Sequence, residues 1–165
     1  MSFSFIPLYA FQKVTDISAG FLRSLGVKFL MIDLDNTIAA YGECYPADEV
    51  TLWITEMKSS GFELYIVSNS RLKKRVEAFA EAFGIKFVKS ALKPSPKGLI
   101  KAMDLAGFSP GESALVGDQI FTDTIAANLA GAVSIIVRPR KCGNLLLLLR
   151  YAVEAPFRVA CKNKM

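Results

Sequence analysis

Two aspartates that follow an apolar run are the strongest chemical signal in this sequence. Residues 28–37 read KFLMIDLDNT, so the apolar residues 29–32 lead directly into Asp33 and Asp35. A carboxylate without a partner in apolar surroundings costs several kcal/mol, so a cation is expected beside this pair. Ligands of open parallel sheets bind at the carboxyl ends of the strands. The pair therefore predicts a place where a metal ion and a phosphate meet.

Further polar side chains follow the later apolar runs. Ser68 and Asn69 come after the second run, Lys93 after the third and Asp118 after the fourth. The intervals between them leave room for one helix each and for no large insertion. Because the carboxyl ends of parallel strands share one edge of a sheet, these side chains are expected to converge with Asp33 at that edge.

A regular alternation of strands and helices would position these residues. Strands are expected at 28–33, 62–68, 85–89, 113–117 and 132–137, and helices at 47–60, 71–83, 95–107 and 121–130. Such an alternation implies a parallel sheet with right-handed crossovers and helices on both faces. The predicted fold class is therefore α/β, a doubly wound, Rossmann-like sheet of five parallel strands without a cap domain.

Two of these helices have details that a structure can test. The helix at 71–83 is expected to bury one apolar face, which consists of Leu72, Val76, Phe79 and Phe83. The helix at 95–107 is expected to begin with Ser95 at the N-cap and Pro96 at the first helical position, where these residue types are favoured.

The chain is expected to form a single domain, residues 1–165, in three parts. They are an N-terminal aromatic arm and helix at 1–27, the α/β core at 28–138, and a basic and apolar helical tail at 139–165. In the tail, Arg150, Glu154 and Arg158 recur every four residues among apolar neighbours. Such a helix either lies in a membrane interface or packs onto its own domain or a second copy. The arm either joins it at the membrane or covers the edge of the sheet.

Composition excludes several classes of site. The sequence has no histidine, which removes Ser-His-Asp and Cys-His catalysis and HExxH zinc sites. The 20 Lys and Arg residues against 15 Asp and Glu residues favour anionic partners. Cys44, Cys142 and Cys161 form no CxxC pair, which favours a reduced, cytoplasmic compartment. No apolar run is long enough to predict a transmembrane helix, so any membrane association is expected to be peripheral.

Taken in order, the polar motifs resemble those of the haloacid dehalogenase superfamily of phosphatases. The matching residues are Asp33-Leu34-Asp35-Asn36-Thr37, Ser68, Lys93 and Gly117-Asp118 with Asp123, within residues 28–138. The resemblance implies a phosphomonoester hydrolase in which Asp33 forms an aspartyl-phosphate and Asp35 acts as acid and then as base.

The resemblance also implies a Mg²⁺ site and a phosphate site. Asp33, the Asp35 carbonyl and Asp118 would hold Mg²⁺, since oxygen ligands suit this ion. Ser68 and Asn69 would bind the substrate phosphate, and Lys93 would add fixed positive charge as a catalytic and binding residue. Asp123 would support the metal side of the site. Thr37 either orients a carboxylate through its hydroxyl or is an ordinary strand-end threonine.

Each of these residues alone also fits a turn, a cap or a helix start, so the complete ordered set carries the interpretation.

More narrowly, the chain resembles the phosphatidylglycerophosphate phosphatase family, a capless, subfamily III group. The matching pieces are residues 29–37, 66–69, 91–94 and 116–123, whereas Ser70 departs from the asparagine expected there. This resemblance implies a phosphorylated lipid head group as the substrate in phosphatidylglycerol synthesis, beside an anionic membrane surface, and no nucleic acid partner.

One observation bears on that substrate. The basic residues Arg71, Lys73, Lys74 and Arg75 begin a predicted helix, where they oppose the helix dipole. They either attract an anionic head group or form a solvated run of charge.

Two other functions also fit the sequence: a soluble phosphatase of a small sugar or nucleotide phosphate, and a non-catalytic phosphate-binding or scaffold protein.

Overall fold

One parallel sheet organises the protein, seen here in a computed structural model that describes residues 3–70, 72–88, 90–141, 145–161 and 163–164. Seven strands lie in the order β4-β3-β2-β5-β6-β1-β7. Their bounds are β1 Tyr9–Phe11, β2 Phe29–Ile32, β3 Glu63–Val67, β4 Lys86–Val88, β5 Ser113–Gly117, β6 Val133–Val137 and β7 Asn163–Lys164. The predicted count of five is too low, because β1 and the very short β7 extend the sheet beyond β6.

Helices cover both faces of the sheet. Their bounds are α1 Ala19–Ser24, α2 Asp48–Ser59, α3 Lys73–Phe83, α4 Lys97–Ala106, α5 Ile125–Ala130 and α6 Leu145–Ala160. Along β2, Leu30 and Ile32 face the side of the sheet covered by α2 and α3. Phe29 and Met31 face the side covered by α4 and α5. A strand buried on both faces is typical of parallel sheets, and this arrangement confirms the doubly wound α/β class.

Some helix starts differ from the sequence prediction. Helix α4, which was predicted to begin with Ser95 as its N-cap, begins at Lys97 with Pro96 as its N-cap. The reason is a turn that precedes it, in which the Ser95 N–H donates to the Leu92 carbonyl at 2.9 Å. Helix α3, which was predicted to begin at Arg71, begins at Lys73. Arg71, Lys89, Cys142 and Gly143 lie outside the described residues. Leu72 precedes the helix with a non-helical ψ of 73°, so its side chain is 66% exposed instead of buried.

The helix predicted at 121–130 is divided. Residues Ile120–Thr124 form a single π-helical turn, and α5 follows. In that turn the Gln119 carbonyl accepts a hydrogen bond from the Asp123 N–H at 2.9 Å, and the Asp123 carboxylate accepts one from the Gln119 N–H at 3.0 Å. The Thr124 N–H also donates to the Gln119 carbonyl, at 3.4 Å, and this bond between residues five apart is the one that defines a π turn. Turns of this kind are frequent at functional sites.

The two ends of the chain pack on the core. In the N-terminal arm, β1 pairs with β6, so this part of the arm covers the sheet edge. Phe157 of α6 contacts the ring of Phe5 at 5.1 Å and the ring of Phe121 at 6.0 Å, so α6 lies against its own domain. The opposite face of α6 is exposed and apolar, and it includes Leu145, Leu148, Leu149, Val153 and Val159. Within the described ranges, the helices fall short of the length and apolarity needed to cross a membrane.

Candidate active site

A cavity of about 400 Å³ opens at the carboxyl edge of the sheet. Among its lining residues are six that the sequence singled out: Asp33, Asp35, Ser68, Asn69, Lys93 and Asp123. Asp118 lies beside them, fully buried, at the end of β5. The convergence predicted from strand order is therefore present in the structure.

Lys93 lies at the centre of the charged groups. Its Nζ is 2.6 Å from Asp33 Oδ1 and 2.6 Å from Asp123 Oδ1. Burial alone would lower the pKa of Lys93, but the two carboxylates outweigh it and raise that pKa above its ordinary value. Lys93 therefore stays protonated and bridges two strand ends that are far apart in the sequence.

Asn69 holds the backbone of Lys93. The Asn69 Nδ2 donates to the Lys93 carbonyl at 2.7 Å, and the Lys93 N–H donates to Asn69 Oδ1 at 2.9 Å. The sequence assigned Asn69 to substrate binding, yet both ends of its amide are engaged with Lys93. These bonds position Lys93; because Asn69 also lines the cavity, its assignment to substrate binding stays a prediction.

Three carboxylates form a compact acidic cluster. Asp33, Asp118 and Asp123 each place a carboxylate oxygen within 4.8 Å of the others. Asp118 Oδ1 is buried without a hydrogen-bond partner among the described residues. One lysine cannot neutralise three buried acids, and an oxygen-rich cluster with an unsatisfied carboxylate oxygen suits a divalent cation. The residues present therefore fit Mg²⁺.

The charge state of the cluster follows from its burial. Desolvation raises the pKa of Asp33 to about 7; the nearby Asp123 and Asp35 also raise it, and Lys93 opposes them. Burial and the charges of Asp123 and Asp33 raise the pKa of Asp118 well above its ordinary range. Without a cation, the cluster therefore retains protons at a pH where isolated aspartates are ionised.

Asp123 belongs to the acidic cluster itself, whereas the sequence analysis gave it a supporting role. The expected metal set paired Asp33 and Asp118 with Asp35, through its carbonyl, and treated Asp123 as support. In the structure, the Asp123 carboxylate completes the cluster, because the π turn directs it towards Lys93. Gly117 makes this possible, since a Cβ at that position would overlap the Asp123 carboxylate.

Arg75 binds the Asp35 carboxylate. Its guanidinium also donates to the carbonyls of Glu43 (2.8 Å) and Ala40 (2.9 Å). Arg75 is therefore engaged with protein groups and is not part of a solvated run, one of the two alternatives that the sequence left open. Lys73, by contrast, is exposed on the same helix.

Ser68 and Thr37 are both buried but differ in their contacts. The Ser68 hydroxyl accepts a hydrogen bond from the Ser70 N–H at 3.0 Å, and Ser68 lines the cavity, where the hydroxyl can donate to a phosphate oxygen. The Thr37 hydroxyl has no hydrogen-bond partner in the part of the chain that the structure describes. The hydrogen bond that would orient a carboxylate is therefore not formed in this structure.

The C-terminal helix α6 contributes site residues that the sequence analysis missed. The Tyr151 hydroxyl donates to Asp118 Oδ2, and Arg158 donates to the Asp118 carbonyl. Glu154 is fully buried and accepts hydrogen bonds from the Phe121 N–H at 3.1 Å and from Arg150 Nε at 3.3 Å. The regular spacing of Arg150, Glu154 and Arg158 was a visible signal, but spacing alone does not tell which surface these residues meet.

Glu154 is expected to be essential for docking α6. Glu154→Ala should lower the free energy of unfolding by about 2–4 kcal/mol, because it leaves the Phe121 N–H, Arg150 and Arg158 (Nη2 3.5 Å from Glu154 Oε2) without their carboxylate. Urea unfolding measures this loss, and Glu56→Ala, at an exposed position of α2, is the matched control. A loss below about 0.5 kcal/mol for Glu154→Ala would contradict this structural role.

Comparisons with known proteins identify the family of this chain. The family described as "Hydrolase: haloacid dehalogenase-like hydrolase" matches residues 11–131. The "Probable phosphatase YqeG" of Bacillus subtilis (strain 168) is 31% identical over 135 residues, which cover 82% of this chain and 78% of that protein. The residues matched by the family, 11–131, include the strand ends that form the cavity.

Solved structures share the fold. The 3-deoxy-D-manno-octulosonate 8-phosphate phosphatase from Moraxella catarrhalis, in complex with magnesium ion, phosphate ion and KDO molecule, has a TM-score of 0.57 at 16% identity, over 90% of this chain and 82% of that chain. An uncharacterized protein from Listeria monocytogenes serotype 4b has a TM-score of 0.54 at 20% identity, over 72% of this chain and 86% of that chain. At these identities the likeness concerns the fold alone.

Proposed function

Because the chain belongs to the haloacid dehalogenase-like hydrolases and is a phosphatase, we propose that it hydrolyses phosphate monoesters through a covalent phosphate on Asp33, with Mg²⁺ as its cofactor. The observation that carries this proposal is the meeting of Asp33, Asp118 and Asp123 around Lys93 in one cavity. Bound by these three aspartates, Mg²⁺ would supply positive charge that reduces the repulsion between a carboxylate nucleophile and a phosphate.

In the first step, a bond forms between an Asp33 oxygen and phosphorus while the bond from phosphorus to the alcohol oxygen breaks. Lys93 is in position to offset negative charge on Asp33 and the phosphate, since its ammonium is 2.6 Å from Asp33 Oδ1. The Ser68 hydroxyl, at the end of the neighbouring strand β3, is available to donate to a phosphate oxygen. In the second step, water attacks phosphorus and the Asp33 carboxylate is regenerated.

Asp35 is proposed to handle the protons of both steps. It would give a proton to the departing alcohol oxygen and later accept one from the attacking water. Its present partner is Arg75, whose guanidinium is a phosphate ligand by charge and shape. An incoming phosphate would compete with Asp35 for Arg75 and leave the carboxylate free to face the leaving group.

For the substrate, we propose a lipid phosphate monoester, phosphatidylglycerophosphate, taken from an anionic membrane surface to which the protein binds peripherally. The support comes from the mouth of the cavity, where two of the lining residues, Tyr41 and Leu72, expose large apolar surfaces to solvent. Exposed Lys73 and Lys74 adjoin Leu72. Within the described ranges no cap domain covers this mouth, so a membrane-embedded substrate has access to Asp33.

A vesicle assay tests this substrate. With Mg²⁺, phosphatidylglycerophosphate in anionic vesicles is expected to be hydrolysed with a kcat/KM at least about tenfold above that of glycerol 3-phosphate or a nucleoside monophosphate. Leu72→Ser should lower the vesicle rate, because an apolar contact at the mouth is lost. The matched control is Leu105→Ser, at an exposed position of α4. Faster turnover of the soluble esters would instead favour a small-molecule phosphatase.

A further inference from the structure

Three cations line the active-site cavity, and they differ in how far they are already engaged. The side chains of Lys93 and Arg75 are only 2% and 10% exposed. Lys93 is bound to Asp33 and Asp123, and Arg75 is bound to Asp35. The third cation, Arg150, comes from α6 and has a side chain that is 32% exposed. Of these three, Arg150 therefore presents the most accessible positive charge to the cavity.

Arg150 is held in place on its protein side. Its Nε donates to Glu154 Oε1 at 3.3 Å, and Glu154 is fully buried against the Phe121 N–H. The next residue, Tyr151, donates to Asp118, which ties the same turn of α6 to the acidic cluster. An arginine that is anchored through Nε in this way loses less conformational freedom when a ligand binds its guanidinium.

The residues proposed to bind the transferred phosphate lie on other elements than Arg150. Asp33, Lys93 and Ser68 are grouped at the ends of β2 and β3 and in the loop after β4. Arg150 lines the same cavity from the C-terminal helix, and Gln119 and Thr122 line it from the segment after β5. A guanidinium at a second location in the same cavity suits a second anionic group, because arginine binds phosphate oxygens through two parallel hydrogen bonds.

We propose that Arg150 recognises a second phosphate of the substrate, separate from the one that is hydrolysed, and thereby selects phosphate monoesters that carry it. The inference rests on the proposed function of this cavity. The second phosphate is either the phosphodiester of a lipid head group or a second phosphate on a soluble compound, and both present the same anionic oxygens. The C-terminal helix is then the element of the fold that sets specificity.

The test compares three substrates in the wild type and in Arg150→Gln. They are phosphatidylglycerophosphate in vesicles, the soluble fructose 1,6-bisphosphate, and p-nitrophenyl phosphate, which carries a single phosphate. The expected result is that kcat/KM for a substrate with two phosphates, relative to p-nitrophenyl phosphate, falls about tenfold to a hundredfold, mainly through KM. Arg150→Lys should recover part of that ratio because it keeps the charge. Lys101→Gln, at an exposed position of α4, is the matched control.

The outcomes separate this inference from the lipid proposal. If the lipid in vesicles is not hydrolysed, but Arg150→Gln lowers kcat/KM for the soluble bisphosphate relative to p-nitrophenyl phosphate, the lipid substrate is wrong and the role of Arg150 stands. If vesicles are hydrolysed and the ratios do not change, the role of Arg150 is wrong and the lipid substrate stands. Equal losses on all three substrates, with a lower melting temperature, would show that Arg150 only stabilises α6 and would overturn the inference. Failure to hydrolyse either substrate that carries a second phosphate would overturn it as well.

Discussion

Asp33→Asn is expected to reduce phosphate release by at least about 10³-fold while the protein still folds. The amide cannot attack phosphorus, yet it has nearly the same shape as the carboxylate and keeps an oxygen for the Lys93 ammonium, now 2.6 Å from Asp33 Oδ1. Lys93 also keeps its contact with Asp123. The loss should therefore appear in kcat and not in the melting temperature.

Single-turnover labelling with a substrate carrying radioactive phosphate makes this test specific. The wild-type protein should acquire label that is stable in acid and released by hydroxylamine, as expected for an acyl phosphate, and Asp33→Asn should acquire none. Asp104→Asn, at an exposed position of α4, is the control for the same change in charge. Substantial turnover or labelling of Asp33→Asn would show that another residue is the nucleophile.

Removal of divalent cations should reduce turnover as much as Asp33→Asn does, and added Mg²⁺ should restore it. Asp33, Asp118 and Asp123 cannot all be ionised beside a single ammonium without a further positive charge. Dialysis against a chelator followed by Mg²⁺ titration measures the effect. Asp118→Asn is expected to raise the Mg²⁺ concentration needed for half-maximal activity by about tenfold or more. Undiminished activity after chelation would refute the metal requirement.

The stability of the metal-free protein should depend on pH in a direction fixed by Asp33. Its pKa is raised from 3.8 to about 7, so the folded state binds a proton that the unfolded chain releases. The resulting stabilisation is complete below about pH 4 and is lost as the pH rises through about 7. Mg²⁺ should therefore raise the melting temperature by a few degrees more at pH 8 than at pH 5.5. An equal effect at both values would contradict the proton linkage.

The catalytic core was predictable because its signals are local. An apolar run that ends in a polar residue identifies a strand end, and parallel strands place their ends at one edge. Asp33, Ser68, Lys93 and Asp118 were found in this way, as were the two-sided helical layers. The wrong predictions at this level concern local details. For example, α4 begins at Lys97 because a turn forms before it.

The parts that could not be predicted depend on tertiary contacts. The sequence around Asp123 has ordinary helical periodicity, so nothing in it shows that a π turn directs this carboxylate to Lys93. Arg75 looked like one member of a basic run, and its bond to Asp35 depends on how α3 packs beside the loop after β2. Likewise, the apolar tail helix could have faced a membrane, its own domain or a second copy with the same pattern of residues.

The place of α6 in the chain has a consequence for biogenesis. Because α6 follows β2 and β5, it is synthesised after the strands that lead into Asp33 and Asp118, and it is the helix that brings Tyr151 to Asp118. Synthesis runs from the N-terminal side at about 5–20 residues per second. The segments that carry Asp33, Lys93 and Asp118 therefore exist before α6 does, and Asp118 gains its contact with Tyr151 only once α6 has been made.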